Sequence, residues 1–191
     1  MKLFTGLSCG LLLLPLTVLA ADPFNYDYVE VNYQHQSLQN GSDATANGPG
    51  LEASYTIWNQ LQIIGGYAHL DTSAPISDIT NDNSYVGIRG ESTYSDSTDF
   101  YTDILYLNNH SSYQGNSNND DGYRVALGMR HLFNRWIEFD GSVGHNSLTQ
   151  SSNDASVGLW VYATSWLSVG VDYTRNAVTS NTSRLLVRAY F

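Results

Sequence analysis

The chain has 191 residues and a formal net charge of −10, with one lysine, Lys2, and one cysteine, Cys9, both among the first twenty residues. The remainder therefore has no thiol chemistry, and its acidity excludes the basic footprint that nucleic acid requires. No later stretch reaches the roughly eighteen unbroken apolar residues of a membrane helix, so any membrane passage has to be made by strands.

Residues 1–20, MKLFTGLSCGLLLLPLTVLA, read as a secretory signal: a basic start, the apolar run Leu11 to Leu14, and Val18-Leu19-Ala20 as a small-residue cleavage site. A lipid-anchor reading of Leu7-Ser8-Cys9 fails because the apolar run follows the cysteine. Residues 21–191 are then a mature domain bound for an oxidising compartment, without cysteines to cross-link there.

The mature chain alternates at a period of two almost throughout. A first strand over 24–35 sets Val29, Val31 and Tyr33 against Tyr28, Glu30, Asn32 and Gln34, with a less regular start at Tyr26-Asp27 where a bulge would fit. A polar loop, 36–50, precedes strands at 51–58 (Glu52, Ser54 and Thr56 on one face) and 61–70, separated by Asn59-Gln60. After a loop over 71–82, a strand at 83–91 sets Val86 and Ile88 against Tyr85, Gly87, Arg89 and Glu91. A turn at 92–98 leads to a strand at 99–108, with Tyr101, Asp103 and Leu105 sharing a face, and then to the longest loop, 109–121.

The clearest pattern is 123–145, where Arg124, Ala126, Gly128 and Arg130 lie opposite Tyr123, Val125, Leu127 and Met129. After Phe133-Asn134-Arg135 the pattern resumes with Glu138, Asp140, Ser142 and Gly144 against Ile137, Phe139, Gly141 and Val143. A three-residue hairpin loop would place Leu132 opposite Trp136 and Arg130 opposite Glu138. Beyond a loop at 146–154, strands at 155–163 and 166–174 flank Thr164-Ser165; after 175–183 the final strand sets Arg184, Leu186, Arg188 and Tyr190 against Leu185, Val187, Ala189 and Phe191.

A water-facing sheet normally exposes flexible Lys and Glu on its polar face. Here that face carries Arg, Asp, Glu, Gly and Ser, which can pair or pack small inside a narrow tube, leaving the apolar face to lipid. Ten strands, long loops after odd strands and shorter turns after even ones specify a closed antiparallel up-and-down transmembrane β-barrel, with an eight-strand barrel as the architectural rival. Its lumen would hold an ionic network of Glu30, Glu52, Arg89, Glu91, Asp103, Arg124, Arg130, Glu138, Asp140, Asp172, Arg184 and Arg188. Interface aromatics would form two belts: Trp58, Trp136 and Trp166 at the short turns, and Tyr33, Tyr67, Tyr106, Tyr123 and Tyr173 toward the loops. By strict alternation Trp58 points inward and joins a belt only if the strand end turns.

The C-terminal LLVRAYF, ending in Phe191, is similar to the signal by which outer-membrane assembly machinery recognises its barrels, with Ala189 departing from the usual aromatic. The motifs Tyr26-Asp27-Tyr28-Val29-Glu30, Gly65-Gly66-Tyr67 and Asp121-Gly122-Tyr123 through Arg130 resemble a family of small outer-membrane proteins of xanthomonads and relatives, once discussed as secreted elicitors or quorum signals. That resemblance implies an outer-membrane location, contact with lipid and lipopolysaccharide, and help from the assembly machinery during biogenesis, as a monomer.

The expected function is non-enzymatic: envelope integrity or surface contact, with the lumen filled by its ionic network. The alternative is a narrow channel for water or small solutes lined by the same residues. A more remote alternative is lipid A modification: His145-Asn146-Ser147 resembles the His-x-Ser of outer-membrane lipid A deacylases and, with Asp154 or Glu138, offers the residue types of acyl transfer, but the flanking residues of the deacylase motif are absent. No cofactor is implied: His35, His69, His110 and His131 are scattered, and 116–122 lacks the glycine position and closing Glu of a calcium loop, leaving a solvated turn.

Overall fold

The computed structural model describes residues 24–38, 44–74, 77–113, 116–178 and 180–191; the expected signal segment lies outside them. These residues form ten strands: β1 (Tyr28–Leu38), β2 (Thr45–Trp58), β3 (Leu61–Ala74), β4 (Ser77–Ser95), β5 (Thr98–Tyr113), β6 (Asn116–Asn134), β7 (Ile137–Ser147), β8 (Ser152–Thr164), β9 (Leu167–Asn176) and β10 (Ser180–Tyr190). Each pairs antiparallel with its sequence neighbours, and β1 pairs with β10, from Tyr28 opposite Tyr190 to Leu38 opposite Ser180. Closure leaves no sheet edge, so every ladder is satisfied within the chain, which a lipid-embedded backbone requires. The eight-strand alternative is excluded.

The faces sort with the alternation. Val31, Ile104, Val171 and Leu185 are exposed on the outside, and Leu127 and Val143 are each 61 % exposed there. Tyr28, Glu30, Asp103, Arg130, Glu138 and Arg188 are buried inside. Apolar outside and ionic inside is the inverse of a water-soluble barrel, and hydrocarbon is the surrounding that suits it.

Where the sequence suggests a turn at 92–98, β4 continues to Ser95, and the turn is Asp96-Ser97. All four turns at this end have the same build: two residues, at 59–60, 96–97, 135–136 and 165–166, with a register shift just before each. Asn134 Oδ1 accepts from the backbone N–H of Trp136 (2.8 Å) and of Ile137 (3.1 Å), and Thr164 Oγ1 accepts from Trp166 N–H (3.3 Å). Trp58 cannot make such a cap, and there Asn59 adopts a left-handed φ of 43°, a conformation Asn tolerates better than most residues.

The bulged build corrects the expected β6–β7 register. Arg130 lies opposite Asp140, and Leu132 opposite Glu138, because the loop is two residues plus a bulge rather than three residues. Both registers keep the same faces, since they differ by an even step. The bulge before Trp58 turns that ring out of the strict alternation, and it is 73 % exposed.

The other end departs most from expectation. Residues 71–74, 77–82, 109–113 and 116–121, expected as loops, are strand. β4 and β6 each run 19 residues, against the roughly 9–11 that cross a bilayer at a tilt. The β3–β4 and β5–β6 hairpins therefore stand well beyond the apolar belt. Asn and Ser are poor strand formers by propensity, but the continuing ladder satisfies their backbone regardless, as in Asn109 opposite Asp120 and Ser111 opposite Asn118. Side chains add Asn81 Nδ2 donating to Thr72 Oγ1 (3.0 Å) and Ser111 Oγ donating to Asn81 Oδ1 (2.7 Å). The segment 116–122, expected as a solvated turn, is likewise part of β6.

Candidate functional site

The lumen has two halves of different character. Toward the short turns it is packed solid. Arg130 and Glu138 form a two-point ion pair at 2.9 Å for each contact, with the two side chains 2 % and 0 % exposed. Tyr162 donates to Glu138 Oε2 at 2.6 Å and stacks on Tyr190, ring centres 5.6 Å apart. Arg188 lies between the rings of Tyr28 (4.0 Å) and Trp160 (3.9 Å) while donating to Glu30 Oε2 at 2.8 Å. Ring stacking covers the guanidinium faces and the carboxylates meet two N–H groups on the edge of each arginine, which offsets much of the cost of burying such charges.

The chain just before β1 completes this layer. Phe24 and Tyr26 are buried, and Arg130 lies 5.2 Å and 4.5 Å from their ring centres. Asp27 anchors the segment: its Oδ1 accepts from Thr56 N–H (2.5 Å) and its carbonyl from Phe191 N–H (3.1 Å). Phe24 and Tyr26, assigned by sequence to the irregular start of β1, are thus a floor beneath the lumen.

Glycines on the inner face make room for the rings. Tyr101 sits directly opposite Gly128, and Trp160 opposite Gly170; a β-carbon on Gly170 would stand 2.5 Å from the Trp160 ring. Gly170→Val is therefore expected to lift the indole off the strand and break the Arg188 stack, lowering stability by about 1–3 kcal/mol as overpacked sites do. A urea titration followed by tryptophan fluorescence would read it, and an unchanged midpoint would mean that the ring does not rest there.

Toward the long hairpins the lumen opens into a vestibule of about 1100 Å³. Its arginines are held by wall carboxylates: Arg89 by Asp103 (2.7 and 2.8 Å), Arg124 by Asp154 (2.7 and 3.1 Å) and Arg184 by Asp172 (2.9 Å). Glu52 and Asp140 at its base are held by tyrosines instead. Tyr28 donates to Glu52 Oε1 at 2.5 Å, Tyr85 donates to Glu52 Oε2, and Tyr101 bonds both Asp140 oxygens at 3.2 Å.

All twelve network residues named from sequence lie on the inner face, but they divide between these halves. Glu30, Arg130, Glu138 and Arg188 belong to the packed half; Glu52, Arg89, Asp103, Arg124, Asp140, Asp172 and Arg184 line the vestibule. Glu91 lies on the inner face of β4, level with Tyr101. Asp154, expected in the loop at 146–154, lies in β8, one step of the same alternation before Ser156. Asp99 is buried inside as well.

Trp58, Trp136, Trp166, Tyr33, Tyr67, Tyr106, Tyr123 and Tyr173 are all exposed on the exterior or at the turns, and Phe191 is exposed beyond the end of β10. Beyond Tyr67 and past the apolar belt, His69 Nδ1 meets Asp82 Oδ1 at 2.6 Å, and this hydrogen bond raises the imidazole pKa. His145 faces outward and bonds Asn153 (2.9 Å), whereas Asp154 and Glu138 face the lumen, so the acyl-transfer constellation is not assembled. Among the described residues, no cluster of three or more His, Cys, Asp or Glu could hold a metal ion.

These features define a closed, ten-strand, membrane-spanning barrel with a packed lower lumen and an open upper one. Among solved structures it is similar in fold to the following three. The β domain of the Bordetella autotransporter BrkA is 11% identical, with 87% of this chain and 99% of that one aligned at a TM-score of 0.52. Neisserial surface protein A is 15% identical over 86% of this chain and 96% of that one (TM-score 0.47). The outer membrane protein OprG from Pseudomonas aeruginosa is 10% identical over 87% and 97% (TM-score 0.46). At these identities the likeness concerns fold alone. No protein-family model matches the chain. No curated protein matches it either.

Proposed function

We propose that this chain is a monomeric, non-enzymatic barrel of the bacterial outer membrane, sealed on its periplasmic side, that contributes to envelope integrity or surface contact. The observation that carries the proposal is the layer formed by Arg130, Glu138, Tyr162 and Tyr190 with Phe24 and Tyr26 beneath it, which fills the lumen at the short-turn end. An even strand count puts both termini on that end, as outer-membrane barrels have them in the periplasm. The apolar belt then meets lipid and the inner edge of lipopolysaccharide, Phe191 serves the assembly machinery, and the long β3–β6 hairpins face outward as the contact surface. The motifs from Tyr26 to Glu30 and from Asp121 to Arg130 support kinship with the small xanthomonad outer-membrane proteins.

Purified protein in planar bilayers is expected to give no stable conductance steps. Discrete, reproducible steps from the pure protein would overturn the seal.

A second reading, a narrow path for water, is favoured by one observation. Within the packed half, the Gln62 carboxamide, the Ser54 hydroxyl and Arg130 Nη1 are buried without a protein partner. Buried polar groups of this kind usually bind ordered water. Water flux through proteoliposomes in the absence of ion conductance would select this reading over a full seal.

A further inference from the structure

We infer that the vestibule is a binding site for an oligosaccharide without acidic groups, entering from the long-hairpin end. The inference rests on the sealed, outward-opening barrel proposed above.

Size comes first. At about 1100 Å³ the vestibule lies at or above the roughly 300–1,000 Å³ of ordinary small-ligand pockets, and it is closed below by Glu52, Tyr85, Tyr101 and Asp140. A ligand therefore enters and leaves by one mouth, and the cup has room for several linked rings.

The wall chemistry is that of a sugar site. Gln34, Asn83, Asn109 and Asn146 bring carboxamides, and Ser142 and Thr182 bring hydroxyls, from five different strands. Each such group both donates and accepts, as is needed to meet hydroxyls that do the same. Leu105 and Leu107 line the same wall, and apolar surface beside polar groups suits the C–H faces of a pyranose ring.

Charge decides which sugars. Arg89, Arg124 and Arg184 are the wall's arginines, and each already faces its own aspartate at 2.7–2.9 Å, so none offers an uncompensated positive charge to an anion. Glu52 and Asp140 at the base, by contrast, have tyrosine hydroxyls as partners and no arginine within ion-pair distance among the described residues. The cup is therefore net negative at its closed end. An acidic chain would bring like charge into a confined space, whereas a neutral or amino sugar would not.

The test is titration calorimetry on the detergent-solubilised, folded protein with three linear oligomers of equal length: glucose, glucosamine and galacturonate. The glucose and glucosamine oligomers are expected to bind, and the galacturonate oligomer to bind at least about tenfold more weakly, a gap of roughly 1.4 kcal/mol. Asn109→Trp and Thr182→Trp, which fill the mouth from different strands, are each expected to weaken glucose-oligomer binding by about tenfold or more. Either variant suffices if the other does not fold, as judged by heat-modifiable gel mobility. Glu52→Gln is expected to narrow the gap between neutral and acidic oligomers.

Absence of binding by all three oligomers, tightest binding by galacturonate, binding indifferent to the mouth variants, or a gap unmoved by Glu52→Gln would each overturn the inference. Conductance steps would remove the seal without altering these titrations, and failed titrations would remove the sugar site without opening the lumen.

Discussion

Arg130→Ala is expected to lower the folding free energy of the barrel by about 3–5 kcal/mol, because it leaves a carboxylate buried without its cation. Glu138 is 0 % exposed, and both of its oxygens face Arg130 at 2.9 Å. The remaining Tyr162 hydrogen bond is a single neutral donor and does not replace the lost charge. The substitution also removes the guanidinium on which Phe24 and Tyr26 rest, so the floor loosens along with the pair. The double variant Arg130→Met/Glu138→Leu is expected to lose much less than the single one, since a buried ion pair replaced by apolar groups of similar volume is often close to neutral. Urea unfolding in a lipid or detergent host would measure both. A single variant within about 1 kcal/mol of the parent would mean that Glu138 is hydrated and that the lower lumen is wet, which would take the seal with it.

That pair also shows how far the sequence could be read. Period-two alternation put Arg130 and Glu138 on one inner face, and the face survives any register change by an even step. Their mutual position was not legible: the sequence placed them directly opposite, while Arg130 sits opposite Asp140 and reaches Glu138 diagonally. The difference is one bulged residue at the turn, a local choice set by Asn134 capping two backbone N–H groups. The strands past the membrane were hidden for another reason. Asn, Asp and Ser dominate 109–121, and they mark turns in isolation, but a ladder already running from Thr98 opposite His131 carries them as strand. The floor was hidden because Phe24 and Tyr26 continue the β1 pattern, and only closure of the barrel shows that no partner strand remains for them. The glycine–aromatic pairs, Gly128 with Tyr101 and Gly170 with Trp160, required cross-strand register that alternation alone does not supply.

Leu127→Arg is expected to destabilise the barrel by about 2–4 kcal/mol if it faces the middle of a bilayer, and to be nearly silent if it faces water. Leu127 is 61 % exposed on the outer face, with Val125 and Val143 exposed beside it, so nothing in the protein would be displaced by the longer side chain. Any cost must then come from the surroundings, because a guanidinium in hydrocarbon loses its hydration while a guanidinium on a soluble surface keeps it. Asn119→Arg supplies the contrast. It is exposed on the same strand, eight residues farther along and past the end of the apolar belt, and is expected to change stability by less than about 0.5 kcal/mol. Unfolding of both variants in lipid vesicles therefore reads the position of the membrane along β6. A large cost at Leu127 and none at Asn119 would place the boundary between them and leave the β5–β6 hairpin outside. Equal, small effects at both positions would mean that the apolar exterior meets water, and the chain would then be a soluble barrel that buries its charges for some other reason.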